Sequence, residues 1–449
     1  MSEVLALGDV ADVVAGVGFP KDMQGGQDGA IPVFKVGDIS VAWLQGKSLL
    51  HESRNYLSAE EAKSLGKCVP AGATVFAKIG EALRLNRRVM LGRPALVDNN
   101  VMGLVPDQTK VSPKYLYYFM QTVDLGELSR STTVPSIRKS DVVDIAIAVP
   151  QLSAQDEIVA ELEKQFSRLG VAVANLQRVK ANLKRYKASV LKAAVEGRLV
   201  ETEATLARRE GRTFETGEQL LQRILEERRA KWRGKGRYKE PVAQTAEFTI
   251  AVTDGWTSAT VDQLASVQLG KMLDKQKHKA GEPYRYLRNI NVRWGTFDVS
   301  DVFEMNFESD ELERFSVRAG DVLVCEGGEP ARAAVWRAKQ TDMKYQKALH
   351  RVRFDGAYLP DLIVIALEHL AKSGALDELY GGSTIKHFTR ETFVKLVLPV
   401  PPAAEQARIV AEVDRHLSII REVEVEVEAN LQRAQALRQA TLAKAFANT

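Results

Sequence analysis

The sequence predicts an α+β protein with a pseudo-two-fold internal repeat: two similar mixed domains separated by a pair of long antiparallel, coiled-coil helices. Three observations predict it. A motif at Gln155, Ile158, Val159, Ala160 and Glu161 recurs 251 positions later as Gln406, Ile409, Val410, Ala411 and Glu412. The closing segments, Val190-Leu191-Lys192-Ala193-Ala194 and Thr441-Leu442-Ala443-Lys444-Ala445, keep the same offset. Between the copies, turn landmarks return in order while the residues between them differ, the mark of one scaffold used twice.

Residues 1–150 read as the first mixed domain. Ile31-Pro32-Val33-Phe34-Lys35-Val36 and Ala73-Thr74-Val75-Phe76-Ala77-Lys78-Ile79 are rich in β-branched or aromatic residues and bounded by Gly, Asp or Pro, so they are expected as strands. Ser112-Pro113 ahead of Lys114–Met120 is a helix start, with Pro near the first helical position.

Residues 151–200 form the first long helix. Leu162, Leu169, Leu176, Leu183 and Val190 recur every seven positions, and Phe166, Val173 and Ala194 stand four further on, which makes an a/d seam. Lys180 and Lys187 also fall in that seam, where a cation fixes register or meets a partner. A helix of this span is roughly 65 Å long at about 1.5 Å per residue and needs a partner helix. Residues 401–449 supply it through Val413, Leu417, Ile420, Val427 and Leu431. Here Glu424 takes a seam position, and residues 421–428 alternate as a strand would. The helical flanks argue that they continue the helix.

Residues 201–245 are a charged connection with one short amphipathic helix from Gly217. Its end is basic: Arg228, Arg229, Lys231, Arg233, Lys235, Arg237 and Lys239 are interleaved with Trp232 and Tyr238. Such a run is either a solvated linker or a surface for phosphates or a subunit. Residues 246–400 repeat the first domain: Gly80-Glu81 returns as Gly328-Glu329, and Ser136-Ile137-Arg138 as Thr384-Ile385-Lys386.

Composition narrows the function. The net charge is only +4 although 27% of residues are charged, so any electrostatic role rests on local clusters. Two distant cysteines, Cys68 and Cys325, suit a reducing compartment and no thiolate metal site. With neither a leader-like start nor an 18-residue apolar run, a soluble, cytoplasmic protein without membrane contact is expected.

No catalytic motif survives inspection. Gly46-Lys47-Ser48 ends like a phosphate-binding loop, but Val41 stands where its first glycine belongs. His51-Glu52 lacks the second histidine of a zinc-protease helix. No catalytic residues, metal site or bound cofactor are expected in the chain.

Basic residues and one asparagine at matching landmarks are the candidates for nucleic-acid contact. In the first domain they are Lys78, Arg84, Asn86, Arg87, Arg88, Arg138 and Lys139. In the second they are Lys271, Lys275, Lys277, Arg332, Arg337, Lys386 and His387. Arg and Asn present forked donors suited to guanine and adenine edges, although a lone surface Arg or Lys is more often there for solubility. A non-catalytic protein-binding scaffold with two domains on a helical rod is the competing expectation.

The Gln-x-x-Ile-Val-Ala-Glu helix starts, the Gly197-Arg198-Leu199 exit and the Leu220-Leu221-x-x-Ile224-Leu225 linker resemble the specificity (S) subunit of type I restriction-modification systems along essentially the whole chain. That resemblance implies two target-recognition domains, each reading half of a bipartite site in double-stranded DNA, with the helices as spacer. It further implies two methyltransferase (M) subunits, which use S-adenosylmethionine to methylate adenine, and two restriction (R) subunits that use ATP and Mg. Neither activity would lie in this chain.

Overall fold

The computed structural model describes residues 3–129, 134–234, 236–244, 252–272, 281–339, 342–382 and 386–447. They form two compact units, one of Met1–Arg178 with Val427–Thr449, the other of Val179–Glu426.

The first unit opens with Glu3–Ala6, which pairs antiparallel with Ala146–Val149, placing Glu3 opposite Val149. A five-stranded sheet follows in the order Ala11–Ala15, Val101–Pro106, Thr74–Ala77, Arg88–Leu91, Leu49–Leu50. A smaller sheet sets Ile31–Phe34 between an antiparallel Tyr56–Leu57 and a parallel Leu96–Val97. The helix Pro113–Met120 begins where the Ser-Pro pair predicts, with the Ser112 hydroxyl accepting from the Tyr115 N–H.

The second unit rebuilds the same plan from other residues. Thr257–Thr260 pairs with Val397–Val400, again with first opposite last, Thr257 to Val400. Its larger sheet runs Ala265–Leu269, Leu349–Phe354, Val322–Cys325, Ala333–Val335. Glu282–Leu287 sits between an antiparallel Phe303–Phe307 and a parallel Lys344–Tyr345. Strand direction and neighbour order match for every strand except Leu49–Leu50, which has no partner in the second unit's larger sheet, so the sequence landmarks mark a structural repeat.

Each long helix is continuous: Leu152–Val195 has 44 residues and Ala403–Ala447 has 45. In the first unit, Val159 and Leu162 of one share a core with Leu442 of the other. There Phe446 lies 5.1 Å from the Tyr115 ring. In the second unit, Val190, Leu191 and Ala194 join Ile409 and Val413. In both, the start of one helix lies against the end of the other, so the two run antiparallel.

The seam is read out in burial. Leu162, Val190, Val413, Ile420 and Val427 are buried, while Phe166, Leu169, Val173, Leu176, Leu183, Leu417 and Leu431 are half-buried. Lys180 points outward, and Lys187 reaches the buried Glu368 at 2.7 Å. Residues 421–428 are helical. Glu424 is exposed and Val423 half-buried, so the seam steps by one residue and its apolar character is kept.

The segment expected as a charged linker with one short helix, residues 201–245, falls within the second unit. It holds two helices, Glu203–Glu210 and Gly217–Ala230, and the second packs on Thr257–Thr260 and Val397–Val400. Leu220 and Ile224 are fully buried there. Gly217 is required: a β-carbon on it would lie 2.1 Å from the Val400 carbonyl oxygen. Much of the basic run is engaged within the second unit. Arg228 donates to the carbonyls of Asp262 and Gln263, Arg229 pairs with Glu240, and Lys231 reaches the Asp355 carbonyl. Among the described residues no helix is long and apolar enough to cross a membrane.

Candidate nucleic-acid interface

In the first unit the strand Thr74–Ala77 exits into Lys78-Ile79-Gly80. Gly80 has φ 81°, which lets the chain reverse at once. Its N–H donates to the Pro135 carbonyl at 2.8 Å, and the Ile137 N–H donates to the Lys78 carbonyl at 3.0 Å. Those bonds tie the strand exit to residues 134–138 and set Lys78 beside the exposed Arg138 and Lys139. Arg138 is also the cap of the short helix Lys139–Val143, its N–H held by Asp141 at 2.8 Å.

The second unit repeats the juxtaposition. Val322–Cys325 exits into Glu326-Gly327-Gly328, with Gly328 also at φ 81°. The Glu326 carbonyl accepts from the Phe388 N–H at 2.7 Å. Lys386 and His387 are exposed beside this loop, and a β-carbon on Gly327 would lie 3.2 Å from His387 Nδ1. Lys386 pairs with Asp377 at 2.9 Å.

Other candidates belong to the interior. Arg88 is 1% exposed. Its guanidinium donates to the Val123 carbonyl at 3.0 and 3.1 Å and to Asn86 Oδ1 at 2.8 Å. Burial lowers its pKa to about 10, with Asp124 and Tyr117 opposing. Asn86, at φ 50°, also accepts from the Leu125 N–H and donates to Asp124 Oδ1 at 2.7 Å. Asn86 and Arg88 are therefore corrected from reading residues to the lock that shapes the turn; Arg84 stays exposed and Arg87 half-buried.

Lys271 is likewise corrected: it is buried, paired with Glu311 and bonded to the Asn306 carbonyl. Arg332 turns inward to the Asn289 carbonyl and Glu329, and Arg337 is held by Asp361. Lys275 and Lys277 lie outside the described residues. Among the described residues, no three His, Cys, Asp or Glu side chains gather as a metal site.

Three positioning residues were not singled out from sequence for these roles. Gln155 is fully buried; its carbonyl accepts from the Ser112 N–H, and its amide donates to the Lys110 and Pro150 carbonyls, all at 2.8 Å. Gln406 does the same in the second unit, accepting from the Leu359 N–H at 2.8 Å and donating to the Pro401 carbonyl at 3.0 Å. Each clamps the first turn of a long helix to the N-terminus of its unit's own helix, satisfying an N–H that the helix cannot. Their place at the head of the repeated motif was the available signal.

The third, His350, lies under the second loop with Nε2 2.8 Å from the Phe388 carbonyl. Facing a carbonyl, Nε2 must carry the proton. Burial pushes the pKa of His350 below its ordinary 6.5, so the unfolded chain binds the proton more tightly. Stability from this group is present above 6.5 and is lost as pH falls from there through the depressed folded value. The variant His350→Gln keeps a donor without titrating. Its urea midpoint is expected to fall less between pH 7 and pH 5 than the wild type's, and parallel profiles would refute the assignment.

Residues 2–173 match the family model described as the type I restriction modification DNA specificity domain. The chain is 21% identical over 459 residues to the type I restriction enzyme EcoBI specificity subunit of Escherichia coli, spanning 98% of this chain and 85% of that protein. It is 23% identical over 328 residues to the EcoKI specificity subunit of Escherichia coli, spanning 72% of this chain and 61% of that one. A chain from a structural study of complex assembly and conformational transition of the type I R-M system shares the fold. Its TM-score is 0.62 at 14% identity, covering 99% of this chain and 97% of that one.

Proposed function

From the premise that this chain belongs to the specificity subunits of type I restriction-modification systems, we propose that each unit reads one half of a bipartite site in double-stranded DNA. The observation that carries this reading is the repeated loop pair: a glycine-turned strand exit tied to the segment ahead of a short helix, once in each unit. The scaffold is the same and the side chains are not. Both units keep a glutamate after the turning glycine, Glu81 and Glu329, but the first unit has Lys78 where the second has Glu326, and its joined segment carries Arg138 and Lys139 where the second unit's carries Lys386 and His387. A cation suits guanine and phosphate oxygens, while a carboxylate accepts from cytosine. Two unlike surfaces on one scaffold suit an asymmetric target.

The two long helices, which run through both units, would set the interval between the half-sites. Half-sites one helical turn apart, roughly 34 to 36 Å, face the same side of the duplex. Methyltransferase subunits would dock on these helices and supply S-adenosylmethionine chemistry, with restriction subunits bringing ATP and Mg. This chain's contribution is binding and register.

Footprinting of the chain assembled with methyltransferase subunits should give two protected blocks around an unread interval. A single continuous block would count against two readers. The double variant Lys78→Ala/Arg138→Ala should weaken binding and lower the slope of log K against log salt by about 2, one for each cation that no longer neutralises a phosphate. An unchanged slope would remove these side chains from the interface.

A further inference from the structure

One residue of the repeated loop carries opposite charge in the two units. Lys78 and Glu326 directly follow the matching strands Thr74–Ala77 and Val322–Cys325, and their backbones are fastened alike. The Lys78 N–H donates to the Asn100 carbonyl at 2.9 Å, and its carbonyl accepts from the Ile137 N–H at 3.0 Å. The Glu326 N–H donates to the Ala348 carbonyl at 2.9 Å, and its carbonyl accepts from the Phe388 N–H at 2.7 Å. The scaffold takes up both backbone groups in each unit, so this position differs only in the side chain it displays.

Glu326 is half-buried, and among the described residues its carboxylate makes no hydrogen bond or ion pair. Glu329, three residues on, is already engaged: Trp294 Nε1 donates to it at 2.7 Å and Arg332 pairs with it at 2.7 Å. The buried His350 lies within electrostatic reach of Glu326, but burial holds its pKa below the ordinary value, so at neutral pH it brings no charge to offset the carboxylate. Gly327 and Gly328 come next and have no side chains to keep a duplex away. On a loop that meets DNA, an unpaired carboxylate is repelled by the phosphates, and a donor on a base is what offsets that repulsion. Guanine and thymine show acceptors on the major-groove edge, and the N6 amino group of adenine stands beside its N7 acceptor. Cytosine shows a donor alone. We propose that Glu326 accepts from the exocyclic amino group of a cytosine in the second unit's half-site, which makes this position a selector between C·G and G·C pairs. The assignment rests on the reading of DNA by each unit and names the base that one side chain reads.

Binding-site selection from randomised duplexes, with the full chain assembled with methyltransferase subunits, tests it. The wild type should select a C·G pair at one position of one half-site. Glu326→Gln should lower that preference by about tenfold. Glu326→Lys, which gives the loop the side chain that the same scaffold carries at position 78, should turn the preference to G·C at the same position. Both variants should also bind duplexes lacking the site more tightly than the wild type, because a charge that repels phosphates is gone. The other half-site, selected unchanged, shows that the variants fold and assemble. Variants that keep the wild-type base at every position would overturn the assignment and leave two readers standing, as would unchanged affinity for duplexes lacking the site. A loss spread evenly over both half-sites would also overturn it. A wild type that selects no sequence would remove the DNA reading itself, and this assignment with it.

Discussion

Replacing Gln155 with leucine is expected to destabilise the first unit by about 3 kcal/mol, since three backbone groups are left without a buried partner at roughly 1 kcal/mol or more each. The side chain is fully buried, so water cannot replace it. The leucine recovers some apolar burial but leaves the Ser112 N–H and the Lys110 and Pro150 carbonyls unmet. Gln406→Leu breaks two bonds and should cost less, about 2 kcal/mol. Urea denaturation followed by circular dichroism would order the two. A loss below about 1 kcal/mol for Gln155→Leu would mean that the clamp is not what joins the long helix to the start of helix Pro113–Met120.

Arg88→Met should be the most damaging change around the first loop, at about 2 to 3 kcal/mol, because it strips donors from the Val123 carbonyl and from Asn86. Its effect on DNA should have a distinct signature. Recognition of one half-site would fall while the salt slope stays that of the wild type, since a buried guanidinium releases no counterions from DNA. Titration of affinity against salt concentration distinguishes this from a surface contact. A slope reduced by about 1 would show that Arg88 meets a phosphate after all and is not confined to shaping the turn.

Arg88 also shows where sequence reasoning stopped. Arg87 and Arg88 are adjacent and chemically identical, and only the start of the strand Arg88–Leu91 turns one inward and leaves the other half-buried. Lys271 is the same case: a basic residue whose partner, Glu311, is forty positions away and carries no mark in sequence. The linker helix is present as expected, and only its packing was beyond a linear reading. Leu220 and Ile224 gave an amphipathic pattern, but what they would face depends on strands 257–260 and 397–400, which a linear reading treats as another element.

The architecture was more legible because its signals are periodic or repeated. A seven-residue spacing over Leu162 to Val190 and an offset kept at both ends of each helix survive any uncertainty in the domains between them. Local alternation at residues 421–428 competed with that pattern and lost, because a helix bonded on both flanks propagates through a stretch of weaker preference.

The order in which the chain leaves the ribosome follows from how the units are cut from it. The second unit is continuous, Val179–Glu426, whereas the first unit needs both Met1–Arg178 and Val427–Thr449. Domains fold as units during synthesis, usually the earlier one first. Here the earlier-made sheets wait with Val159, Leu162 and Tyr115 lacking Leu442 and Phe446, until the later-made unit is already whole. A chain truncated ahead of Val427 therefore has one finished unit and one with an open core, a natural target for chaperones and proteases.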